Sequence, residues 1–185
     1  MIRKAVAGDA AALAVLAAVT FPLACPPGAS PEDIRLHLKR TLSEEKFAEY
    51  LADSKIAILV LEQDGRLDGY TLLVDRQSTD ADVLRALGAH RSVGQDAKRS
   101  VELSKCYVHP DHHGRGAAFT LMRASLDWAA DQGAASVWLG VNSQNAKAIR
   151  FYEKSGFAKV GTKSFALGAS VESDFILEYA LPAQG

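Results

Sequence analysis

The stretch VELSKCYVHPDHHGRGAA, which runs from Val101 to Ala118, decides the fold. It begins with a β-prone run, passes through a proline-containing turn and a glycine-rich loop, and ends at the start of an amphipathic helix. A loop in this position leaves backbone N–H groups unpaired at a helix N-terminus, where the helix dipole favours negative charge. The stretch therefore predicts an anion-binding loop between a strand and a helix.

The composition of the chain limits its partners. Its 185 residues are typical of one domain, and we interpret residues 1–185 as a single domain. The 21 lysine and arginine residues nearly balance the 22 acids, which gives a net charge of −1 at pH 7. A balanced chain has no general attraction to nucleic acid or to anionic lipid, so we expect neither nucleic acid nor a membrane as a partner.

The N-terminal segment is apolar enough to raise the question of a signal peptide or a membrane span. Its apolar run, Ala10 to Ala18, follows the charged Asp9 and is shorter than the ~20 residues that a membrane span needs. The two cysteines, Cys25 and Cys106, do not form the disulfide framework of a small exported domain. We therefore predict a cytoplasmic protein in which a helix from about Asp9 to Phe21 packs in the core.

The rest of the chain alternates helical and extended patterns. Four helix breakers are expected to end the first helix: Pro22, Pro26, Pro27 and Gly28. The pattern predicts strands at 2–5, 56–61, 67–74, 101–108, 136–141, 158–165 and 174–180, and further helices at 30–40, 43–53, 116–132 and 145–155. Asp64-Gly65 predicts a hairpin turn, and residues 77–99 indicate a surface excursion with one short helix at 80–87. The predicted class is α/β, with a mixed, mostly antiparallel central sheet of about seven strands flanked by helices.

The sequence of the loop excludes two nucleotide-binding motifs. A P-loop needs Gly-Lys followed by Ser or Thr, and no lysine follows Gly116. A dinucleotide fingerprint needs GxGxxG, but residues 114–119 read GRGAAF, and the next strand ends in Asn142 rather than in an acid. Taken alone, the loop is also compatible with an ordinary glycine-containing turn before a helix.

The loop and its flanks resemble the GNAT superfamily of N-acetyltransferases, and the resemblance covers most of the chain, from Ile2 to Leu181. The acyl-CoA loop of that family falls on HGRGAA at 113–118, with His113 in place of the usual Arg or Gln. A second signature, NSQNAKAIRFYEKSGF at 142–157, follows after one helix and one strand. The segment GTKSFALG at 161–168 is similar to the tail of the PaiA-like polyamine N-acetyltransferases.

This resemblance implies a GNAT-type acyl-CoA N-acyltransferase fold and an N-acetyltransferase with acetyl-CoA as its co-substrate. The loop amides would hold the diphosphate of coenzyme A, and the preceding strand would hold the acetyl carbonyl and the pantetheine arm. The implied cofactor-binding residues are Cys106, Tyr107, Val108, His113, Gly114, Arg115, Gly116, Ala117, Ala118 and Asn145. For Asn145 a helix cap is the alternative role.

Two side chains carry the chemistry in this resemblance. Glu102 would receive the proton of the acceptor, since an alkyl amine with a pKa of about 10 is mostly protonated at neutral pH. Tyr152 would protonate the departing thiolate. The alternative for Glu102 is an exposed strand carboxylate paired with a lysine. The alternative for Tyr152 is a core stripe with Phe151 and Phe157.

Cys106 raises the possibility of a covalent acetyl-enzyme intermediate. A cysteine beside an acyl donor permits a covalent intermediate, but a cysteine within a strand is usually a small buried hydrophobe, so we expect direct transfer in a ternary complex.

The possible metal ligands near the loop are His109, His112 and His113 with Asp111, and they match no helical metal-ligand spacing. We expect no metal there, and we expect the imidazoles to add positive charge for the phosphates.

The expected acceptor is a small polycationic amine. It would bind in a groove between the 30–53 helices and the C-terminal hairpin, which carry the candidate acids Glu44, Glu45, Asp53 and Asp174. Each acid has the alternative role of a helix cap or a solvated surface charge. Two other functions stay open, a non-catalytic acyl-CoA-binding regulatory module and a protein or peptide N-acetyltransferase, and a homodimer also stays open.

Overall fold

The computed structural model describes residues 1–25, 28–89, 99–114, 116–167 and 170–182. Within these ranges the chain forms seven strands: β1 (Ile2–Lys4), β2 (Ile56–Gln63), β3 (Arg66–Val74), β4 (Ser100–Val108), β5 (Ser136–Asn142), β6 (Ala158–Leu167) and β7 (Ser170–Ala180). The same ranges contain six α-helices: α1 (Ala10–Ala24), α2 (Pro31–Thr41), α3 (Glu44–Ala52), α4 (Ala81–Ala89), α5 (Ala117–Asp131) and α6 (Ala146–Lys154). The strands form one sheet in the order β1-β2-β3-β4-β5-β7-β6.

The sheet is mixed, as the sequence predicts. The pairs β1–β2, β2–β3, β5–β7 and β6–β7 are antiparallel. β4 and β5 are parallel, with a ladder from Ser100↔Ser136 to Glu102↔Trp138. The α/β class with seven strands is therefore confirmed. The chain divides into two compact units, the first made of Met1–Val74 and Ser104–Ser125, and the second of Asp75–Leu103 and Leu126–Gly185.

The first unit is built around an apolar core to which α1, α3, β2 and β3 contribute. Leu13, Phe47 and Tyr70 are fully buried in it. The other buried members are Ala5, Ala10, Leu16, Ala17, Leu42, Ile58, Val60, Leu67 and Leu72. The predicted hairpin is confirmed, because Asp64 and Gly65 both have positive φ, 51° and 74°, which matches the primed turns that join twisted strands.

Helix α1 departs from the sequence-based expectation at both ends. Pro22 lies inside the helix instead of ending it, because a proline removes only its own N–H and the remaining turns continue to Ala24. Asp9 precedes the helix, but its side chain does not cap it. The carboxylate instead accepts hydrogen bonds from the Val6 N–H and from Arg3, both at 2.7 Å.

By length and composition alone, one helical stretch in the described part of the chain, Ala7–Ala24, is apolar and long enough to cross a membrane. This corrects the expectation of a shorter run, since the helical stretch extends beyond Ala10 to Ala18 on both sides. Leu13, Leu16 and Ala17 of the same stretch are buried in the core of the first unit, as predicted for a core helix.

Serine caps begin the next two helices, close to positions 30 and 43 where the sequence predicts that helices start. Ser30 Oγ accepts the N–H groups of Glu32 and Asp33 at 3.2 and 3.3 Å. Ser43 Oγ accepts the N–H of Lys46 at 3.3 Å. Because each cap satisfies amides that the helix itself leaves unpaired, the starts of α2 and α3 are fixed locally.

The second unit contains a correction to the predicted surface excursion at 77–99. Helix α4 lies in this segment, and its apolar face is not on the surface. It belongs to a buried cluster with residues of the sheet: Val83, Ala86, Leu87, Trp138 and Ile176. Apolar residues three and four positions apart form one face of a helix, and this spacing is present within the polar composition of the segment. Residues 90–98 lie outside the described residues.

Candidate functional site

The glycine-rich loop lies between β4 and α5 in the first unit. Gly114 and Gly116 have φ angles of +76° and +81°, in the left-handed region that favours glycine. A Cβ added to either glycine would meet no atom within 4 Å. Backbone conformation rather than packing therefore requires these glycines, and the space beside them is open to a ligand.

The first turn of α5 offers backbone N–H groups that have no carbonyl partner within the helix. It begins with Ala117, Ala118 and Phe119 and contains no acid. The next amide, on Thr120, donates to the Gly116 carbonyl at 3.0 Å. Two alanine side chains leave the preceding amides approachable. With the positive end of the helix dipole, this turn suits an anion such as a diphosphate.

Two histidines before the glycines make contacts within the protein. The Nε2 atom of His113 lies 2.9 Å from the carbonyl oxygen of Val108, and since a carbonyl only accepts, Nε2 carries the proton. The Nε2 atom of His112 lies 3.1 Å from Oδ2 of the buried Asp68. In each ring Nε2 therefore reaches an acceptor on a strand, and the predicted contribution of the imidazoles to phosphate binding stays a prediction.

Other candidate features of the loop region add little. Within the described ranges, no three histidine, cysteine or acidic side chains are grouped so that they could hold a metal ion. Arg115, which the resemblance places in the cofactor site, lies outside the described residues. Among the described residues of the loop and the first turn of α5, the groups that suit an anion are backbone N–H groups.

The end of β4 precedes the loop and carries Cys106, Tyr107 and Val108. Burial raises the pKa of the Cys106 thiol to about 12. Burial likewise raises the pKa of Tyr107 to about 12, and its ring packs 5.7 Å from that of Tyr70. Neither side chain is ionised at neutral pH, so Cys106 is not poised as a nucleophile.

The second unit holds the other predicted residues: Glu102, Asn145 and Tyr152. Glu102 is half-buried in β4 and lies opposite Trp138 in the parallel ladder. Tyr152 is half-buried on α6, with its ring centroid 5.3 Å from Phe151 and 5.9 Å from Phe157. Phe157 is a core residue, as expected, whereas Phe151 is only half-buried.

Asn145 has the capping role that was its alternative. Its Oδ1 accepts the N–H of Ala148 at 3.1 Å and so begins α6. The carboxamide nitrogen of an asparagine is a separate donor, which a cap of this kind does not consume. A capping role is therefore compatible with a second contact to a cofactor.

The acids expected to bind a polycation also have structural roles. Glu44 and Glu45 are exposed in the first turn of α3, where acids favour the helix dipole. Asp53 ends α3, and its Oδ1 accepts a backbone N–H two residues on at 2.8 Å. Asp174 lies opposite Lys163 in the β6–β7 ladder. The positions of Glu44, Glu45 and Asp53 match the helix-terminus alternative, whereas Asp174 is half-buried within β7.

Sequence reasoning missed a charged pair beside the loop. Asp68 on β3 has only 1% of its side chain exposed, and its Oδ1 accepts a hydrogen bond from Nε of Arg66 at 2.8 Å. The available signal was an acid within the otherwise apolar run LDGYTLLV at 67–74, since an acid is rarely fully buried unless it is paired.

Comparison with known proteins gives the family. Residues 26–157 match the family model described as the acetyltransferase (GNAT) family. The chain belongs to the GNAT family. A protein named as an uncharacterized N-acetyltransferase of Mycobacterium tuberculosis is 47% identical to this GNAT chain over 169 residues, which cover 91% of the chain and 96% of that protein. The resemblance stated from the sequence is thus confirmed, and the GNAT chain is an N-acetyltransferase.

Two further relatives differ in what their names describe. The L-amino acid N-acyltransferase MnaT of Escherichia coli is 31% identical over 118 residues, which cover 60% of this GNAT chain and 66% of that protein. The crystal structure of the PaiA N-acetyltransferase of Thermoplasma acidophilum in complex with coenzyme A superposes with a TM-score of 0.72 at 23% identity, covering 97% and 98% of the two chains. The second likeness confirms the GNAT fold.

Proposed function

We propose that this GNAT N-acetyltransferase, with acetyl-CoA as its co-substrate, transfers the acetyl group directly to the primary amine of a small acceptor. The observation that carries the proposal is the open loop with Gly114 and Gly116 in left-handed conformation before the acid-free first turn of α5. The diphosphate of coenzyme A is an anion of the kind that such a turn binds. A PaiA protein of the same fold was crystallised with coenzyme A, which supports this assignment.

The backbone of β4 is proposed to hold the rest of the cofactor. The parallel ladder with β5 covers Ser100 to Glu102, and β4 then continues to Val108. In this proposal the backbone groups of Cys106 and Val108 hold the acetyl carbonyl and the pantetheine arm, and Tyr107 contributes its backbone in the same way. Amides fixed in a strand stabilise a developing oxyanion without reorganising.

The proposed reaction needs proton transfers at the acceptor nitrogen and at the departing sulfur. The acceptor ammonium loses a proton to Glu102, directly or through water, and the neutral nitrogen attacks the thioester carbonyl. The tetrahedral intermediate collapses, its C–S bond breaks, and the departing thiolate of coenzyme A takes the phenolic proton of Tyr152. The nitrogen then releases its remaining excess proton through water to the Tyr152 phenolate, which restores the phenol, and Glu102 returns its proton to solvent. The products are the N-acetylated amine and free coenzyme A.

Substitution of the two side chains tests these roles. We expect Tyr152→Phe and Glu102→Gln each to lower kcat by about 10²- to 10⁴-fold, the usual contribution of a positioned acid or base, while the Kd for coenzyme A stays close to wild type. Tyr179→Phe is the matched control, because Tyr179 packs on Phe157 in the same aromatic group. Unchanged turnover in both variants would contradict the role assignments.

Two observations bear on the class of the acceptor, and they favour different candidates. The resemblance to the PaiA-like branch implies a polyamine, and this is our first candidate. The structural roles of Glu44, Glu45 and Asp53 weaken it, and the E. coli relative named as an L-amino acid N-acyltransferase favours an amino acid as the second candidate.

A thiol-release assay with acetyl-CoA separates the acceptor classes. Spermidine, the standard L-amino acids, an aminoglycoside and a short peptide are compared by kcat/KM at one pH. A polyamine preference of tenfold or more supports the first candidate, and the same preference for an amino acid supports the second. Peptides as the best substrates would instead support a peptide N-acetyltransferase.

We also propose that the chain works as one N-acetyltransferase domain in the cytoplasm. The GNAT family model, over residues 26–157, includes residues of both compact units. Both cysteines, Cys25 and Cys106, are free thiols, which is typical of a reducing compartment. Cell fractionation with an antibody to the chain tests the location.

A further inference from the structure

Asp68 occupies an irregular position in the β2–β3 hairpin. Leu61 pairs with Gly69, and Glu62 pairs with Leu67, so the ladder skips Asp68. A bulge of this kind inserts one extra residue into a strand and turns its side chain away from the regular alternation. Both neighbours of Asp68 on β3 are buried, and so is Asp68 itself, with 1% of its side chain exposed.

Two hydrogen bonds and one ion-pair contact converge on this bulged residue. Nε of Arg66 donates to Oδ1 at 2.8 Å, and Nε2 of His112 lies 3.1 Å from Oδ2. The backbone carbonyl of Asp68 accepts the N–H of His109 at 2.7 Å. The side chain and the backbone of one buried residue thus bind two positions of the turn that precedes the glycines.

The contact between His112 and Asp68 is electrostatic. Nε2 of His112 lies 3.1 Å from Oδ2 of Asp68 and forms an ion pair with it when the imidazole is protonated. The same Nε2 lies 3.5 Å from a guanidinium nitrogen of Arg66, and the donor and acceptor roles in this longer contact depend on the tautomer of the ring. The buried carboxylate of Asp68 therefore lies against both side chains.

The strand next to Asp68 is closely packed at Gly69. A Cβ added to Gly69 would lie 2.8 Å from Cδ1 of Leu121 and 3.1 Å from both the Tyr107 carbonyl oxygen and Cγ2 of Val108. The end of β4 and helix α5 therefore approach β3 next to the bulge. An anchor on this part of β3 has little freedom to move.

We propose that Asp68 is a positioning residue for the coenzyme A loop. Through His112 and His109 it holds the turn before the glycines on β3, and so places the amides around Gly114 and Gly116 for the diphosphate. The inference rests on the proposed function of that loop. His112 is two residues before Gly114, so a movement of the anchored turn passes directly to the glycine, and binding groups must be held within about 0.5 Å to work.

Asp68→Asn tests the proposal with almost no change in shape. An asparagine offers one acceptor oxygen and one donor NH₂ group, so it cannot accept from both Arg66 and His112. We expect the Kd for coenzyme A and the KM for acetyl-CoA to rise about tenfold or more, while kcat at saturating acetyl-CoA stays within about twofold. If the substitution instead destabilised the whole fold, kcat would fall as well.

The His112 side of the pair gives a second, independent measurement. His112→Ala should raise the same KM, and His112→Gln, which keeps a donor, should recover part of the loss. If His112 acts through Asp68, the double variant Asp68→Asn/His112→Ala should bind coenzyme A no more weakly than the worse single variant. The two single variants of His112 decide the question even if Asp68→Asn fails to fold.

Asp9→Asn is the matched control, because Asp9 is another carboxylate of the first unit that accepts from an arginine and a backbone N–H. It should lower thermal stability and leave the Kd for coenzyme A unchanged. Wild-type affinity in folded Asp68→Asn and His112→Ala, or an equal loss in Asp9→Asn, would overturn the proposal. A wild-type protein that gives no calorimetric signal with coenzyme A would overturn the function of the loop itself.

Discussion

His113 is tied to Val108 by a hydrogen bond of 2.9 Å from Nε2 to the carbonyl oxygen, so the residue just before the glycines is fixed to the end of β4. The resemblance gives this position an Arg or Gln in other family members, and the sequence alone could not show what the histidine does instead. The structure shows that the imidazole serves as a donor inside the protein.

The first prediction concerns this hydrogen bond. His113→Ala removes it, and because a typical hydrogen bond contributes about 1 kcal/mol, the KM for acetyl-CoA should rise about fivefold. His113→Gln keeps a side-chain donor and should show a smaller rise. Steady-state kinetics with acetyl-CoA varied at saturating acceptor measure both values. An alanine variant with a wild-type KM would show that the bond does not support the loop.

The second prediction uses two glycines with similar backbone strain. Gly116 and Gly133 have φ of +81° and +74°, and a Cβ on either meets no atom within 4 Å. Alanine at either site should cost about 1 kcal/mol of unfolding free energy, because left-handed φ disfavours a side chain. Only Gly116→Ala should also raise the KM for acetyl-CoA, by about tenfold. Equal KM values for the two variants would contradict the candidate anion site.

The third prediction separates direct transfer from a covalent intermediate. Because burial raises the pKa of the Cys106 thiol to about 12, almost no thiolate exists at neutral pH. Cys106→Ala should therefore retain kcat within about threefold, and mass spectrometry of the wild-type protein with acetyl-CoA should show no acetyl adduct. Cys25→Ala is the control thiol. An adduct on Cys106 together with inactivity of the alanine variant would favour a ping-pong mechanism.

The fourth prediction concerns stability in acid. The hydrogen bond between Asp9 and Arg3 holds the pKa of the Asp9 carboxyl below its usual range. A carboxylate with a lowered folded pKa contributes its stability above the unfolded value of about 3.9 and loses it as the pH falls through the folded value. Wild type should therefore lose unfolding free energy more steeply than Asp9→Asn between about pH 5 and pH 2. Urea midpoints at several pH values measure this, and parallel curves would contradict it.

Local chemistry explains why much of the fold could be predicted. The turn at Asp64-Gly65 and the caps at Ser30 and Ser43 each depend on residues within a few positions of one another, so the sequence contains the whole signal. The order of strand, loop and helix around Gly114 and Gly116 is local in the same sense. These elements match the structure with shifts of a few residues at most.

Long-range contacts explain what could not be predicted. The burial of α4 depends on Trp138 and Ile176, which are distant in sequence, whereas the polar composition of the segment predicts a surface position. The inward contacts of His112 and His113 depend on acceptors that strand pairing brings near, Asp68 and Val108. The sequence around a histidine beside a glycine-rich loop does not indicate which acceptor its ring will contact.

The bulge at Asp68 interrupts the regular pairing of β2 with β3 between Leu61 and Glu62. Removing that one residue would restore an unbroken ladder between Leu61 and the turn, and under the proposal for Asp68 it would also release the turn that precedes the glycines. Selection for thermostability alone would therefore act against the arrangement that we propose for binding acetyl-CoA.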